Sequence, residues 1–305
     1  MIYTFTLNPA VDYFISVTGD LVQDEVNRGK NEVYRPGGKG LNVSSMLSHF
    51  GIPSVSVVLL GGFTGNYIFE EYSADGLIRL LRIPVEGSNR INIKINRGDH
   101  YLCVNGEGPV ADENAKIRLK EIVSQIRRGD TAVFSGSMMR GFSDDDLVSY
   151  TEVLHKNGVY VVLDMEKISK ELLGRCMPDL IKPNLHELRL LLEDPCLTSK
   201  DAFSAVDSLL EYSGEVLLSL GKDGAVLAGR SGKLCLMHPE ITPANQVGAG
   251  DAMLAAYIGK RNCGSDRAEA LKWAGAAGSA VACGNSVVSL TLISTFYSQM
   301  KIVFR

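Results

Sequence analysis

The sequence lacks several features by which metal-binding and nucleic-acid-binding proteins are recognised. It has no block of like charge, and its formal net charge of -4 argues against the basic footprint of a nucleic-acid-binding protein. Any anionic ligand must therefore be bound by a few local cations. The cysteines include no C-x-x-C pair and no zinc-type spacing with histidine, so we expect thiols in a reducing compartment; they are Cys103, Cys176, Cys196, Cys235, Cys263 and Cys283.

A signal-peptide pattern and an uninterrupted membrane span are also lacking. Residues 1–9 have neither a basic segment nor a long apolar core, so they predict a first strand in a cytoplasmic protein. The apolar run at residues 274–293 is interrupted by Gly275, Gly278, Gly284 and Asn285, which favours buried helix and loop. We therefore expect no membrane partner.

Two common nucleotide-binding fingerprints are missing as well. The Walker spacing G-x-x-x-x-G-K-[ST] occurs nowhere in the chain. The sequence G-A-G at residues 248–250 has Met253 where the third glycine of a dinucleotide-binding loop belongs, which disfavours an NAD-binding interpretation.

Strand and helix patterns alternate through most of the 305 residues, of which 45% are hydrophobic. This length and composition suit one sizeable α/β domain or two smaller units. The alternation predicts a doubly wound, mainly parallel sheet, in which ligands lie beyond the carboxyl ends of the strands. The predicted strands are residues 55–60, 132–135, 159–164, 179–182 and 216–220, and the predicted helices are residues 115–127 and 145–156.

Two segments, residues 13–34 and 90–104, interrupt this rhythm with short alternating strands. Turns are predicted at residues 19–20 and 97–99. The segments can form a small sheet over the crevice, or a pair of surface hairpins without a role.

The most informative motif is V-G-A-G-D-A at residues 247–252, followed by a predicted helix at residues 252–260. The glycines let backbone N–H groups approach a phosphoryl group, and Asp251 can accept the proton of an attacking hydroxyl. Because Asp251 lies at a helix N-terminus, we expect it to be ionised. The alternative is a glycine-rich cap with Asp251 as the N-cap residue.

Three further motifs suit phosphate chemistry. In P-G-G-K-G-L-N-V, residues 36–43, Lys39 and Asn42 can contact hydroxyls or phosphate. In K-P-N-L-H-E-L, residues 182–188, Asn184 and Glu187 can organise hydrated Mg²⁺, or can form only a capping box. The segment at residues 219–225 is either a simple hairpin or a wall that admits a nucleotide.

Taken in this order, the motifs resemble the PfkB (ribokinase-like) family of carbohydrate kinases. The matching segments are residues 6–12, 37–40, 135–137, 182–184, 219–221 and 248–251. The opening T-L-N-P-A-x-D and the strand at residues 90–94 look most like the phosphosugar branch, which contains 1-phosphofructokinases and tagatose-6-phosphate kinases; 1-phosphofructokinase is the closer likeness.

The resemblance implies a ribokinase-like, doubly wound main domain with a small β-sheet lid. The main domain would comprise residues 1–12, 35–88 and 106–305, and the lid residues 13–34 and 89–105. The family often dimerises through the lid. The implied reaction uses ATP and Mg²⁺ to phosphorylate fructose 1-phosphate at its C6 hydroxyl. Tagatose 6-phosphate, a free sugar, and a weakly catalytic sugar-phosphate-binding regulator remain the alternatives.

The resemblance also assigns roles to individual residues. Asp251 matches the family's catalytic base. The family's anion hole for the transferred phosphoryl group is matched by Gly248, Ala249 and Gly250. Asp12 matches the residue that binds the sugar hydroxyls, beside Gly38, Lys39 and Asn42. The nucleotide residues would be Lys182, Asn184, Glu187, Ser219, Gly221 and Gly224, with Glu187 holding the metal through water.

Two arginines match positions that bind the acceptor's existing phosphate, namely Arg28 and Arg90. A phosphorylated acceptor in a net-acidic protein needs such local cations, and guanidinium suits phosphate. The alternative is that both are ordinary solvated charges.

Several positions depart from the family pattern. Residues 245–246 and Ala252 differ near the catalytic motif, and Cys103 stands where the phosphosugar kinases often have Glu. Residues 138–139 and 165–166 differ beside the predicted crevice, and residues 285–305 lack a clear match. These departures bear on the nucleotide contacts and on the identity of the acceptor.

Overall fold

The computed structural model describes residues 1–97, 100–241, 247–284 and 288–304. Its strands are β1 (Ile2–Thr6), β2 (Ala10–Val17), β3 (Gly29–Gly37), β4 (Ser54–Leu60), β5 (Ile78–Pro84), β6 (Arg90–Arg97), β7 (His100–Asn105), β8 (Thr131–Gly136), β9 (Tyr160–Met165), β10 (Leu180–Ile181), β11 (Glu215–Ser219), β12 (Ala225–Gly229), β13 (Leu234–Met237) and β14 (Lys301–Phe304). Its α-helices are α1 (Lys39–His49), α2 (Gly62–Ser73), α3 (Glu113–Gln125), α4 (Asp144–Lys156), α5 (Lys170–Cys176), α6 (Leu185–Leu192), α7 (Ser199–Ala205), α8 (Ala249–Asn262), α9 (Arg267–Ala282) and α10 (Leu290–Gln299).

The larger sheet has the strand order β14-β13-β12-β11-β10-β9-β8-β1-β4-β5. The strands from β11 to β5 in this order are parallel, whereas β12, β13 and β14 extend one edge in antiparallel pairs. A doubly wound, mainly parallel sheet is therefore confirmed.

Helices cover both faces of this sheet, which explains the near-continuous apolar runs of its strands. Side chains alternate between the faces, so neighbouring residues enter different cores. Val133 and Val162 pack with α1, α8 and α9, whereas Phe134 and Val161 pack with α3, α4 and α5. The ring of Phe134 stacks on the ring of Phe5 in β1, with the two ring centroids 4.3 Å apart.

The predicted elements are present with shifted ends. The largest shift is at α8, which begins at Ala249 and not at Ala252 as predicted, with Gly248 (φ 83°) as its N-cap residue. Glycine adopts this left-handed conformation at little cost. Ala249, Gly250 and Asp251 thus lie in the first turn of the helix instead of preceding it.

The two irregular segments form a separate four-stranded sheet, in the order β3-β2-β6-β7. Strands β2 and β6 are parallel, and the outer pairs are antiparallel. Of the turn predicted at residues 97–99, residues 98 and 99 lie outside the described part of the chain. The domain boundaries stay a prediction. Strand β2 (Ala10–Val17) runs across the boundary that was placed between residues 12 and 13.

The apolar run at residues 274–293 contributes to α9 and α10, which pack against α8 and β13. Residues 285–287 of this run are not among the described residues. Within the described ranges, no helix has both the length and the apolar character needed to cross a membrane.

Candidate active site

A cavity of about 1090 Å³ lies at the carboxyl edge of the larger sheet, between the small sheet and the start of α8. The carboxyl ends of parallel strands meet at one edge, which is why loops distant in sequence converge here. The predicted site residues that line it are Asp12, Gly38, Lys39, Asn42, Arg90, Lys182, Asn184, Glu187, Ser219, Gly221, Gly224, Gly248, Ala249, Gly250 and Asp251.

Arg28 is the predicted residue that does not join this cavity. It is exposed, directly before β3, and is absent from the cavity wall. Its assignment to the acceptor phosphate stays a prediction.

Asp251 is the third residue of α8 and is 7% exposed. Asn42 Nδ2 donates a hydrogen bond of 2.7 Å to Asp251 Oδ2, across 209 residues of sequence. Burial raises the pKa of Asp251, and the negative charge of Asp164 adds to the rise, whereas the Asn42 hydrogen bond, Lys182 and Lys39 oppose it. The net result is a pKa of about 6. The carboxyl is therefore mostly ionised at neutral pH, yet close to the range in which a general base is most effective.

The backbone before Asp251 leaves room for an anion. A Cβ atom at Gly250 would lie 3.1 Å from Lys182 Nζ, so a side chain there would crowd the lysine. The first N–H groups of α8 have no partner within the helix, and the helix dipole is positive at this end. The first turn of α8 can therefore bind a phosphoryl group beside the base.

Two lysines and a buried aspartate form a charged cluster next to Asp251. Lys182 is 5% exposed, and its Nζ lies 3.3 Å from Asp164 Oδ1. Lys39 Nζ lies 3.9 Å from the same oxygen and 3.8 Å from Glu187 Oε1. Burial acts to lower the pKa of Lys39, but Asp164, Glu187, Asp251 and Glu166 together raise it above its usual value. Both cations are thus positioned to neutralise phosphate oxygens.

Sequence reasoning did not include Asp164 among the site residues. Its signal was present, because it follows the apolar run of β9 near the carboxyl edge of the sheet. Asp164 is 2% exposed, and its Oδ2 has no hydrogen-bond partner among the described residues.

Asn184 and Glu187 do form the capping box that was the alternative interpretation. The Glu187 backbone N–H donates to Asn184 Oδ1 at 2.8 Å, and the Asn184 backbone N–H donates to Glu187 Oε2 at 2.9 Å. Both residues also line the cavity, and Glu187 Oε1 faces Lys39. The structural and functional interpretations are therefore compatible.

The segment at residues 219–225 is likewise both a hairpin and a wall. It joins the antiparallel pair β11 and β12, and Gly224 (φ 94°) sits so close to Leu236 O that a Cβ atom would be 2.0 Å away. Other residues that line the cavity were not predicted as site residues. They include His238, Val247, Gly275, Gly278, Ser279 and Ala282. The departure at residues 245–246 lies outside the described residues.

The opposite end of the cavity faces the small sheet. Asp12 accepts hydrogen bonds from Asn92 Nδ2 at 2.9 Å and from Lys94 Nζ at 2.6 Å. Arg90 Nη2 donates to Asn8 O at 3.2 Å. The roles of Asn92 and Lys94 were missed, because an alternating strand pattern shows which residues share a face but not which of them bind.

Several buried polar atoms at this end have no hydrogen-bond partner within the described residues. Such atoms are costly unless a ligand or water binds them. A polyhydroxylated ligand would supply matching donors and acceptors. Five of these atoms belong to residues that line the cavity, namely Thr6 Oγ1, Asn8 Oδ1, Arg90 Nε, Asn92 Oδ1 and Ser135 Oγ.

Comparisons with known proteins agree with this geometry. The family model described as "pfkB family carbohydrate kinase" matches residues 6–291. D-tagatose-1-phosphate kinase of Bacillus licheniformis is 38% identical over 307 residues, covering 99% of each chain. 1-Phosphofructokinase of Bacillus subtilis is 31% identical over 304 residues, also covering 99% of each chain.

Solved structures identify the fold. Phosphofructokinase-2 of Escherichia coli superposes with a TM-score of 0.88 at 24% identity, covering 97% of this chain and 98% of that one. Ribokinase of Thermotoga maritima superposes with a TM-score of 0.79 at 17% identity, covering 98% and 99%. The fold is thus ribokinase-like.

Fold, site and family model together define an ATP-dependent phosphotransferase. The chain belongs to the pfkB family of carbohydrate kinases, as its sequence motifs predicted.

Proposed function

We propose that the protein phosphorylates the C6 hydroxyl of a ketohexose 1-phosphate, with fructose 1-phosphate as the acceptor that the sequence motifs favour. The observation that carries the proposal is the cavity that joins Asp251, at the start of α8, to a buried polar end beneath the small sheet that contains Arg90. In a ketohexose 1-phosphate, C6 carries the free primary hydroxyl, so it is the natural nucleophile. The products would be the 1,6-bisphosphate and ADP.

Arg90 suits the existing phosphate of this acceptor. Its Nη2 is held by Asn8 O, while its Nε is buried without a hydrogen-bond partner among the described residues. Guanidinium binds phosphate oxygens well, because its N–H groups form a planar array.

In the proposed reaction, Asp12 binds the sugar hydroxyls and Asp251 accepts the proton of the attacking hydroxyl. The amides at Gly248, Ala249 and Gly250 donate to oxygens of the transferred phosphoryl group. Closure of the small sheet as a lid would exclude water and suppress hydrolysis of ATP.

Mg²⁺ is part of this proposal, and the residues present fit it. Glu187 would hold it through water, and the buried Asp164 Oδ2 lies in the same charged cluster; carboxylate oxygens are the ligands that Mg²⁺ prefers. No group of three or more His, Cys, Asp or Glu side chains in the described ranges could hold a metal ion, so its other ligands would be water and nucleotide phosphates. When bound, the metal ion neutralises charge on the phosphate oxygens.

A second acceptor is favoured by one specific observation. The relative that is 38% identical is named D-tagatose-1-phosphate kinase. Tagatose 1-phosphate differs from fructose 1-phosphate in the configuration at C4, so the two would use the same base and the same phosphate site.

A coupled assay of ADP release tests the proposal. Mg-ATP would be supplied with fructose 1-phosphate, tagatose 1-phosphate, fructose 6-phosphate, tagatose 6-phosphate or free fructose, with Asp251→Asn as the inactive control. Preferred turnover of a 1-phosphate supports the proposal. Preference for a 6-phosphate or a free sugar overturns the acceptor, and sugar-phosphate binding without turnover would indicate a regulator.

We further propose a cytoplasmic homodimer that forms through the small sheet. One cross-strand row, Tyr34, Tyr13, Ile93 and Val104, lies on the face opposite to Asp12 and Asn92. Tyr34 is 55% and Val104 53% exposed, so this apolar row is available to a second copy. Sedimentation of the wild type and of Val104→Glu tests this: the variant should become monomeric, and a monomeric wild type would contradict the dimer.

A further inference from the structure

The small sheet contains a buried ion pair whose acidic member faces the acceptor end of the cavity. Lys94 Nζ lies 2.6 Å from Asp12 Oδ2, and Lys94 is only 7% exposed. The parallel register places Asp12 opposite Asn92 and Phe14 opposite Lys94, so the ion pair runs diagonally between β2 and β6. The Lys94 ammonium also lies 4.9 Å from the centroid of the Phe14 ring.

Strand β6 therefore supplies a donor to each oxygen of Asp12. Asn92 Nδ2 donates to Oδ1 and Lys94 Nζ donates to Oδ2. Each carboxylate oxygen has two acceptor sites, so one site on each oxygen is left for a ligand hydroxyl. Asn92 Oδ1 is buried and has no hydrogen-bond partner in the described part of the chain.

We propose that Lys94 is a positioning residue for acceptor binding, which acts by holding the Asp12 carboxylate oriented toward the sugar hydroxyls. This inference rests on the proposed role of Asp12. Lys94 also lines the cavity, but its ammonium is held by the ion pair with Asp12 and by the ring of Phe14, so the proposal assigns its effect to Asp12 and not to a direct contact with the acceptor.

The physical reason is the cost of a buried charge without its partner. Removal of one member of a buried ion pair leaves the other unpaired, and that group then turns toward solvent. An Asp12 carboxylate that turns away from β6 would no longer present its two free acceptor sites to the sugar. ATP binding and the chemical step depend on the opposite part of the cavity and would change little.

A double-mutant cycle tests the inference, using Lys94→Met, Asp12→Asn and the double variant. Both single variants are expected to raise the KM for the acceptor by about 10- to 100-fold, with kcat and the KM for ATP within about threefold of wild type. If Lys94 acts through Asp12, the double variant should be within about threefold of the worse single variant.

Multiplicative losses in the double variant would show that Lys94 contacts the acceptor directly, and would overturn the inference. A fall in kcat at unchanged KM would overturn it as well. Lys260→Met is the matched control, because Lys260 also lies over an aromatic ring, 4.1 Å from the Trp273 centroid, but does not line the cavity. It should leave both constants unchanged.

Lys94→Arg covers the case in which the methionine variant does not fold. It keeps the charge and should hold the acceptor KM within about fivefold of wild type, and a loss of tenfold or more would contradict a role through charge. Failure of the proposed function can be told apart from failure of this inference. If the proposed function is wrong, the wild type does not turn over any of the sugar phosphates, and calorimetry shows no binding of them. Wild-type turnover with an additive cycle would overturn this inference alone.

Discussion

The side-chain amide of Asn42 donates a 2.7 Å hydrogen bond to the carboxylate of Asp251, which joins the start of α1 to the start of α8. A donor to the charged form lowers the pKa of a carboxyl group, so Asn42 partly offsets the effect of burial on Asp251. The pKa of the proposed base thus depends in part on a contact between two motifs that are far apart in sequence.

We therefore expect Asn42→Leu to move the acid limb of the activity profile to higher pH. Wild-type activity should fall as the pH drops through about 6, because protonated Asp251 cannot accept the hydroxyl proton. Without the Asn42 donor, the pKa of Asp251 rises further. The measurement is kcat against pH at saturating acceptor, since Asn42 is also expected to contact the sugar. An unchanged limb would contradict the coupling.

Asp251→Asn should lose most turnover while it retains substrate binding. The asparagine is similar in size but cannot accept the proton, and loss of a general base commonly costs on the order of 10² to 10⁴ in rate. The matched control is Asp266→Asn, at the N-cap of α9, because asparagine keeps that cap and Asp266 does not line the cavity. Turnover of Asp251→Asn close to that of the control would refute the assignment.

The same substitution should stabilise the fold at neutral pH. The pKa of Asp251 is raised on folding, so between its ordinary value near 3.8 and about 6 the folded state binds more protons than the unfolded state. Stability therefore falls as the pH rises through this window, and the cost at pH 7 is on the order of 3 kcal/mol. Thermal unfolding should show a higher Tm for Asp251→Asn than for wild type at pH 7.5. The gain should shrink toward pH 4, and a lower Tm at pH 7.5 would contradict the burial argument.

The parallel sheet and the glycine-rich motif at the start of α8 could be predicted because their signals are local. Apolar runs such as residues 55–60 predict buried strands, and the glycines of residues 248–250 mark a close approach of the backbone. The Asp12–Lys94 and Asn42–Asp251 contacts could not be predicted in this way. They depend on the register between β2 and β6 and on the packing of α1 beside α8, which no local pattern specifies.

The pKa of Asp251 shows the same limit more sharply. Its place at a helix N-terminus predicts an ionised carboxyl group, and that tendency is real. Burial and the proximity of Asp164 outweigh it, and both result from the convergence of α8 and β9 at one edge of the sheet. The helix end by itself therefore does not give the pKa of this carboxyl group, although an ionised Asp251 at neutral pH agrees with a pKa of about 6.

Arg90 and Arg28 give the last prediction, because the structure separates two residues that the sequence treats alike. Arg90 lines the cavity with its Nε buried and without a hydrogen-bond partner in the described ranges, whereas Arg28 is exposed outside it. Arg90→Gln should raise the KM for a phosphorylated acceptor by about 10- to 100-fold, since a charge-assisted hydrogen bond contributes roughly 1.5–3 kcal/mol, and should change the KM for free fructose much less. Arg28→Gln should change the acceptor KM by less than about threefold unless a second copy brings Arg28 to the site. The measurement is the KM of each variant for a phosphorylated acceptor and for free fructose, made at concentrations where sedimentation shows a single oligomeric state. If Arg90→Gln affects the KM for the phosphorylated and the free sugar equally, the phosphate role of Arg90 is refuted.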